Sequence, residues 1–168
     1  ANALLGPATY DINLSNEGGD TLHFKSDADM AEFATRWYAA INNLFLEASD
    51  GYGPILDTES LRYDVTNNKI IVPFTDASSP AISGTSSVTS SSFNLNNNGS
   101  AIAISSITIN GDTVEITPAI ALNSSQTITL TYGSLNTAVD AAIYDSNNLP
   151  AQPFYNETVV PIIIYVYD

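Results

Sequence analysis

Hydrophobic and polar residues alternate in short segments through most of this chain, which is the pattern of half-buried β-strands. Near the start, residues 10–14 and 22–24 each place their apolar side chains on one face. The segment Asn16–Asp20 between them consists of turn-forming residues. This arrangement predicts a β-hairpin.

One segment has the period of a helix instead. Its apolar residues share one helical face and are Met30, Phe33, Trp37, Ile41, Leu44 and Phe45. Ser26 stands three residues before Asp29, as in a capping box, so we expect the helix to begin after Ser26 and to run to about Ala48. Trp37 lies on the apolar stripe and is therefore predicted to belong to a core.

A second hairpin is predicted after Gly51, Gly53 and Pro54, from two alternating segments on either side of Asn67-Asn68. Residues 75–87 then have the Ser-, Thr-, Gly- and Pro-containing composition of a linker. We therefore predict two parts. Residues 1–78 form a small α+β unit, with two hairpins and one long helix, that is a candidate anchoring region. Residues 79–168 form a β-sandwich, so the fold class is mostly β.

The strands of the second part are indicated by strict alternation. Asn110-Gly111 separates two alternating segments and is the strongest short hairpin signal in the chain, because both turn positions need a positive φ. Further along, Ile128, Leu130 and Tyr132 share one face while three threonines share the other. Several short strands with Ser, Asn and Gly turns are typical of a sandwich.

The same residues resemble the Ig-like repeat of the SwmB type, which is found in large bacterial surface and secreted proteins and in some phage proteins. The resemblance covers roughly residues 79–160. It rests on the segments Val114–Ile116, Gln126–Tyr132 and Asp140–Ala142 and on the late aromatic residue Phe154. It implies an Ig-like sandwich and does not by itself imply one function.

The charge of the chain narrows the set of partners. There are 18 acidic residues against 4 basic ones, a net charge of −14, and no Lys, Arg or His follows Lys69. Such an acidic field repels nucleic acid and anionic membranes, so we predict binding to neither. The sequence also contains no cysteine and no recognisable signal peptide or membrane helix.

The composition provides few of the residue types that usually carry out catalysis. The single histidine, His23, alternates with Leu22 and Phe24 and is predicted to face away from them on a strand. Asp57 and Glu59 are formally a carboxylate pair for glycoside hydrolysis, but sequence neighbours in a loop are usually solvated surface charges. We therefore predict that the protein is not an enzyme and has no catalytic residues.

Calcium is the best cofactor candidate, although the main expectation is that there is none. Within residues 140–148, Asp140 and Asp145 supply carboxylates and two asparagines supply amide oxygens. Ca²⁺ takes six to eight oxygen ligands. Acid-rich loops usually bind only water, and the segment matches no established calcium motif.

The end of the chain is a nearly continuous apolar run. Its residues are Ile162, Ile163, Ile164, Tyr165, Val166 and Tyr167. A strand of this kind is typically buried on both faces. We consider two interpretations: an inner strand packed between the two halves of this chain, or a strand that docks on another subunit.

These observations favour a non-enzymatic structural or interaction protein. A short chain without a visible export signal, joining one Ig-like module to a non-repetitive unit, leads us to expect a decoration or accessory protein on the virion surface of an aquatic phage. Its partners would be protein subunits of that assembly, including copies of itself. The alternative is a bacterial cell-surface or secreted adhesin module. A carbohydrate-binding module is a third hypothesis, for which Tyr52, Tyr144 and Tyr155 are the candidate aromatic platforms for a surface glycan.

Overall fold

A computed structural model of the chain describes residues 14–15, 23–24, 26–46, 53–75, 83–84, 92–133, 143–146 and 149–163. These residues form one helix, α1 (Asp27–Leu46), and short strands. The strands are β1 (Leu14–Ser15), β2 (His23–Phe24), β3 (Ile55–Leu56), β4 (Arg62–Asp64), β5 (Lys69–Thr75), β6 (Ser83–Gly84), β7 (Phe93–Asn97), β8 (Ser100–Ile102), β9 (Ile104–Asn110), β10 (Thr113–Pro118), β11 (Ile128–Tyr132), β12 (Ile143–Tyr144), β13 (Phe154–Thr158) and β14 (Val160–Ile162).

Two sheets make up a β-sandwich. The six-stranded sheet has the order β14-β4-β5-β10-β9, with β3 also paired to β5, and the four-stranded sheet has the order β13-β11-β7-β8. Their pairs are antiparallel except for β14 with β4, which is parallel. The predicted mostly-β class, with a sandwich and one long helix, is confirmed.

The core lies between these two sheets and follows from the alternation in the sequence. Alternate residues of β10 and β11 are buried, and Val114, Ile116 and Leu130 are fully enclosed. Each such side chain contributes about 1.5–3 kcal/mol relative to exposure. A cluster of aromatic rings joins the sheets, with centroids 5.0 to 6.5 Å apart: Phe74 from one sheet, and Phe93, Tyr132 and Phe154 from the other.

The chain crosses directly from one sheet to the other at both sides of the sandwich. On one side, β8 of the four-stranded sheet is followed after Ala103 by β9 of the six-stranded sheet. On the other side, β13 is followed after Val159 by β14, and Val159 is buried. These two crossings connect the edge strands of one sheet to the edge strands of the other through the backbone.

Strands from both sides of the domain boundary predicted between residues 78 and 79 take part in this sandwich. Strand β5, from the first predicted part, pairs with β10, from the second. Strand β4 pairs with β14. The buried residues of β4 and β5 belong to the same core as those of β10 and β11. Residues 55–75 therefore belong to the sandwich. They are joined to it by long-range strand pairing, which the linker-like composition of residues 75–87 does not reveal.

Among the described residues, three hairpin turns contain residues with a positive φ, and one of these residues is Asn68, with φ of 51°, between β4 and β5. Asn98 and Gly99 connect β7 to β8 with φ of 51° and 78°, the geometry of a type I′ turn. The turn predicted at Asn110-Gly111 is shifted by one residue, because Asn110 pairs with Thr113. The connecting residues are therefore Gly111, with φ of 63°, and Asp112.

The helix begins as predicted, with Ser26 as its cap. The Asp29 N–H donates to Ser26 Oγ at 3.2 Å, which satisfies one of the free N–H groups of the first turn. Phe33 packs on Phe24 of β2, with ring centroids 5.0 Å apart. Within the described residues, no helix combines the length and the apolar character needed to cross a membrane.

The apolar stripe of α1 is not enclosed as predicted. Met30, Trp37 and Ile41 are exposed by 51%, 42% and 48%. Trp37 is therefore a surface residue, contrary to the expectation that it belongs to a core. The buried side of the helix includes Arg36 and Ala40 instead. Arg36 Nε lies 2.9 Å from Glu32 Oε1, one helical turn away.

Candidate functional site

The most distinctive local geometry of the sandwich is a β-bulge in β13. The register between β11 and β13 shifts between Leu130 and Tyr132, so that Tyr155 and Asn156 face the single residue Thr131. Asn156 has a φ of 53° and donates its backbone N–H to Thr131 Oγ1 at 3.0 Å. Bulges of this kind change the direction of a side chain at a sheet edge.

Two neighbouring aromatic side chains of β13 lie on opposite faces, as the alternation of a strand requires. Phe154 packs against the core, with its ring 5.8 Å from that of Tyr132. Tyr155, the next residue, is 63% exposed. The tyrosine ring therefore lies on the outer face of the four-stranded sheet.

An open concavity of about 570 Å³ lies beside Tyr155, and we call it the Tyr155 groove. It is lined by Phe93, Asn94, Leu95, Asn96, Ala101, Ile102, Ala103, Ile104, Thr131, Tyr155 and Asn156. Asn94 and Asn96 alternate with buried Phe93 and Leu95 along β7, so their amides lie on the outer face. The volume falls within the range of about 300–1,000 Å³ that is typical of ligand sites.

The lining of the groove combines apolar side chains with amide, hydroxyl and phenol groups. Its amide side chains each offer an acceptor oxygen and two donor hydrogens. On the side opposite Tyr155 the lining includes the small side chains of Ala101 and Ala103. Of the described residues that line it, none is Asp, Glu, His, Lys or Arg. The described lining thus places one phenol ring beside amide and hydroxyl groups.

The acidic residues with a perturbed pKa lie outside this groove and stabilise the sheet. Asp64 is buried, and its carboxylate accepts hydrogen bonds from the backbone N–H groups of Thr66 and Asn67 and from the Asn67 side chain, at 2.6 to 3.1 Å. Burial alone would raise the pKa of Asp64. The hydrogen bonds and the charge of Lys69 outweigh it and hold the pKa below the ordinary value of 3.8. This carboxylate anchors the turn between β4 and β5.

A second structural carboxylate joins neighbouring strands. Lys69 Nζ of β5 donates to Glu115 Oε2 of β10. That hydrogen bond, aided by the lysine charge, lowers the pKa of Glu115 against the opposing effect of partial burial. Because the ammonium group is 42% exposed to solvent, the pair contributes little net stability.

Asp57, which with Glu59 was only a formal carboxylate pair, has a structural role. Asp57 Oδ1 accepts the backbone N–H groups of Glu59 and Ser60 at 3.1 and 3.3 Å, which closes the turn after β3. Hydrogen bonding from Ser60, the largest influence, lowers the pKa of Asp57. His23 lies in β2, opposite Ser15 of β1.

The calcium candidate is only partly within the described residues. Asp145 follows β12, is 1% exposed and accepts the Leu149 N–H at 2.7 Å through Oδ1. Asp140 lies outside the described residues. In the part of the chain that the structure describes, no group of three or more His, Cys, Asp or Glu side chains could hold a metal ion.

The apolar C-terminal run is described only at its beginning. Ile162 is in β14, where it pairs with Asp64 of the same chain. Ile163 is 59% exposed, Ile162 is half-buried, and β14 is a terminal strand in the described sheet. The predicted docking residues Ile164, Tyr165, Val166 and Tyr167 lie outside the described residues.

The aromatic platforms proposed from the sequence divide into three cases. Tyr52 lies outside the described residues, and Tyr144 is half-buried in β12. Tyr155 is exposed on β13, not in a loop. Sequence reasoning did not find Asn94 and Asn96, because asparagines are so frequent in this chain that two on one strand give no distinct signal.

Comparison with known proteins gives a likeness in fold. Neither a protein-family model nor a curated protein matches the chain. A solved carbohydrate acetylesterase from Xanthomonas citri matches with a TM-score of 0.64 and 19% sequence identity. The match covers 86% of this chain and 30% of that chain. At this identity the likeness shows the fold alone, and the chain spans less than a third of the enzyme's length.

Proposed function

We propose that this chain is a non-enzymatic interaction module displayed on a larger assembly. The observation that carries the proposal is the combination of a formed groove and uncharged lining residues. The Tyr155 groove offers a ring, amides and a hydroxyl group. It offers no acid, base or activated nucleophile to a bound substrate.

The solved neighbour is a carbohydrate acetylesterase, and the fold shared with this chain accounts for 30% of its length. Fold alone does not carry activity, so the proposal rests on the groove and not on this likeness.

The assembly remains the one expected from the sequence, a virion surface, with a bacterial surface or secreted protein as the alternative. Two features of the described residues support attachment to other protein subunits. One is the exposed stripe of α1 at Met30, Trp37 and Ile41. The other is the exposed end of β14 at Ile163. Exposed apolar groups that are contiguous usually mark interaction surfaces.

An acetate-release assay tests the absence of catalysis. The purified protein is incubated with acetylated xylan and with p-nitrophenyl acetate, and acetate is measured by chromatography. We expect the same release as from heat-denatured protein. Release above that control that is lost in His23→Ala would contradict the proposal.

The site of display is tested separately by quantitative mass spectrometry of the source culture. Virus particles, cell envelopes and medium are compared. Recovery in a fixed ratio to particle proteins supports the virion. Recovery only in envelopes or medium contradicts it and supports the adhesin alternative.

A further inference from the structure

We propose that the Tyr155 groove is a binding site for a neutral oligosaccharide, with one sugar ring stacked on Tyr155 and neighbouring hydroxyl groups bonded to the asparagine amides. This inference goes beyond the proposed function and can be tested independently, because binding is measurable whether or not the chain hydrolyses anything.

The first argument is the fixed backbone from which the aromatic ring projects. Tyr155 precedes Asn156, whose N–H is held by Thr131 Oγ1 at 3.0 Å, and Thr131 is itself only 6% exposed. The bulge thus fixes the backbone from which the ring projects. A tyrosine has few rotatable bonds, so a platform on a strand loses little entropy when a ligand stacks on it.

The second argument is the pairing of that ring with amides. One face of a pyranose carries C–H groups that pack on an aromatic ring, while its edge carries hydroxyl groups that both donate and accept hydrogen bonds. Asn94, Asn96 and Asn156 are all lining residues, and each has donors and an acceptor on one short side chain. Asn94 and Asn156 are exposed to solvent, and Asn96 is half-buried.

The third argument is charge, which selects neutral ligands. None of the lining residues is charged, so the groove has no partner for a carboxylate or a sulfate. The chain as a whole carries a net charge of −14. An anionic glycan or a nucleic acid would be repelled from this surface without any compensating contact.

The groove has room for more than one sugar ring. Ala101 and Ala103 on the edge side leave it open along the strands. Its volume of about 570 Å³ exceeds what one ring on Tyr155 would fill. Such an extended groove allows adjacent sugar units to reach the asparagines of β7.

Affinity electrophoresis tests the proposal with soluble polysaccharides as probes. The full chain is run in native gels that contain barley β-glucan, arabinoxylan, galactomannan or dextran, with alginate as the anionic control. We expect retardation by at least one neutral polysaccharide and none by alginate. Retardation by alginate alone, or by none of the five, overturns the proposal.

Variants then assign the binding to the groove. Isothermal titration with oligosaccharides of the retarding polysaccharide should show at least tenfold weaker binding for Tyr155→Ala, which corresponds to about 1.4 kcal/mol. Tyr155→Phe keeps the ring and should stay within about threefold of the parent. The matched control is Tyr38→Ala, which removes another exposed tyrosine, 68% accessible and outside the groove.

Two results of the titration would overturn the assignment. One is equal affinity of Tyr155→Ala and the parent, with circular dichroism showing that both are folded. The other is an equal loss in Tyr38→Ala, which would place the binding surface on the helix. Asn94→Ala gives an independent check, since it should weaken binding about fivefold without touching the ring.

Discussion

Replacing Tyr63 with phenylalanine removes one buried hydroxyl group and nothing else. Tyr63 is 1% exposed and lies in β4. Its hydroxyl donates to Asn68 Oδ1 at 2.9 Å and accepts the backbone N–H of Leu122 at 3.1 Å. The group thus connects the strand to its own turn and to a loop 59 residues away.

The loss of stability in Tyr63→Phe depends on which hydrogen-bond partner of the hydroxyl is left unsatisfied. The phenylalanine ring retains the buried apolar area, so the hydrophobic contribution is unchanged. The Leu122 N–H is buried, and leaving it unsatisfied costs about 1–3 kcal/mol. Asn68 is half-buried and its Nδ2 stays bonded to the Pro118 carbonyl, so its Oδ1 can accept from water instead and the lost bond adds little. We expect the free energy of unfolding to fall by about 1–3 kcal/mol, which lowers Tm by roughly 2–12 °C for a chain of this length.

Urea unfolding followed by far-ultraviolet circular dichroism measures this loss. The matched control is Tyr38→Phe, which removes a hydroxyl from a tyrosine that is 68% exposed and should change the free energy of unfolding by less than about 0.5 kcal/mol. The slope against urea should stay the same in both variants. Equal midpoints for the two variants would refute the role assigned to the Tyr63 hydroxyl.

Three further substitutions test other parts of the sandwich. Gly53→Ala should destabilise the fold by about 1–3 kcal/mol in urea unfolding, because a Cβ would collide with the backbone oxygen of Pro150; an unchanged midpoint would refute this close approach. Leu130→Ala, at a position with 0% exposure, should cost about 2–5 kcal/mol, and a loss below 1 kcal/mol would contradict its place in the core. The pKa of Asp64 is lowered by folding, so its stabilising effect is present above the ordinary value of 3.8 and is lost as the pH falls through the lowered folded value. Asp64→Asn should therefore be less stable at pH 7 and lose less stability than the parent between about pH 5 and pH 2, and parallel curves for the two proteins would refute the assignment.

Local periodicity predicted the helix and several strands of this fold. The helix was expected to begin after Ser26 and is observed as Asp27–Leu46, because both the cap and the apolar stripe are encoded within a few residues. Ile128, Leu130 and Tyr132 share the buried face of β11 as their alternation predicts. Such signals need no knowledge of distant parts of the chain.

Features that depend on distant contacts were not predicted. The pairing of β5 with β10 brings together residues that are at least 40 positions apart, and no local pattern specifies it. The exposure of Trp37 depends equally on what does or does not pack against the helix. The type I′ turn was found at Asn98-Gly99, while the same dipeptide at Asn110-Gly111 is shifted by one residue through strand register.

The candidate site was only partly accessible from the sequence. Tyr155 was named as one of three aromatic platforms, but its position on a strand depends on the bulge opposite Thr131. The asparagines of β7 were not singled out, because their proximity to Tyr155 arises from the strand order β13-β11-β7. A groove formed by side chains of several strands has no contiguous motif.

The most direct test of the central claim is one NMR titration of the ¹⁵N-labelled chain with cello-, xylo- and manno-oligosaccharides that carry acetyl groups. We expect amide signals of Asn94, Asn96, Tyr155 and Asn156 to shift while those of α1 stay in place, and no free acetate signal to grow. Shifts confined to residues outside the groove would contradict the binding site. Growth of the acetate signal would contradict the non-enzymatic function.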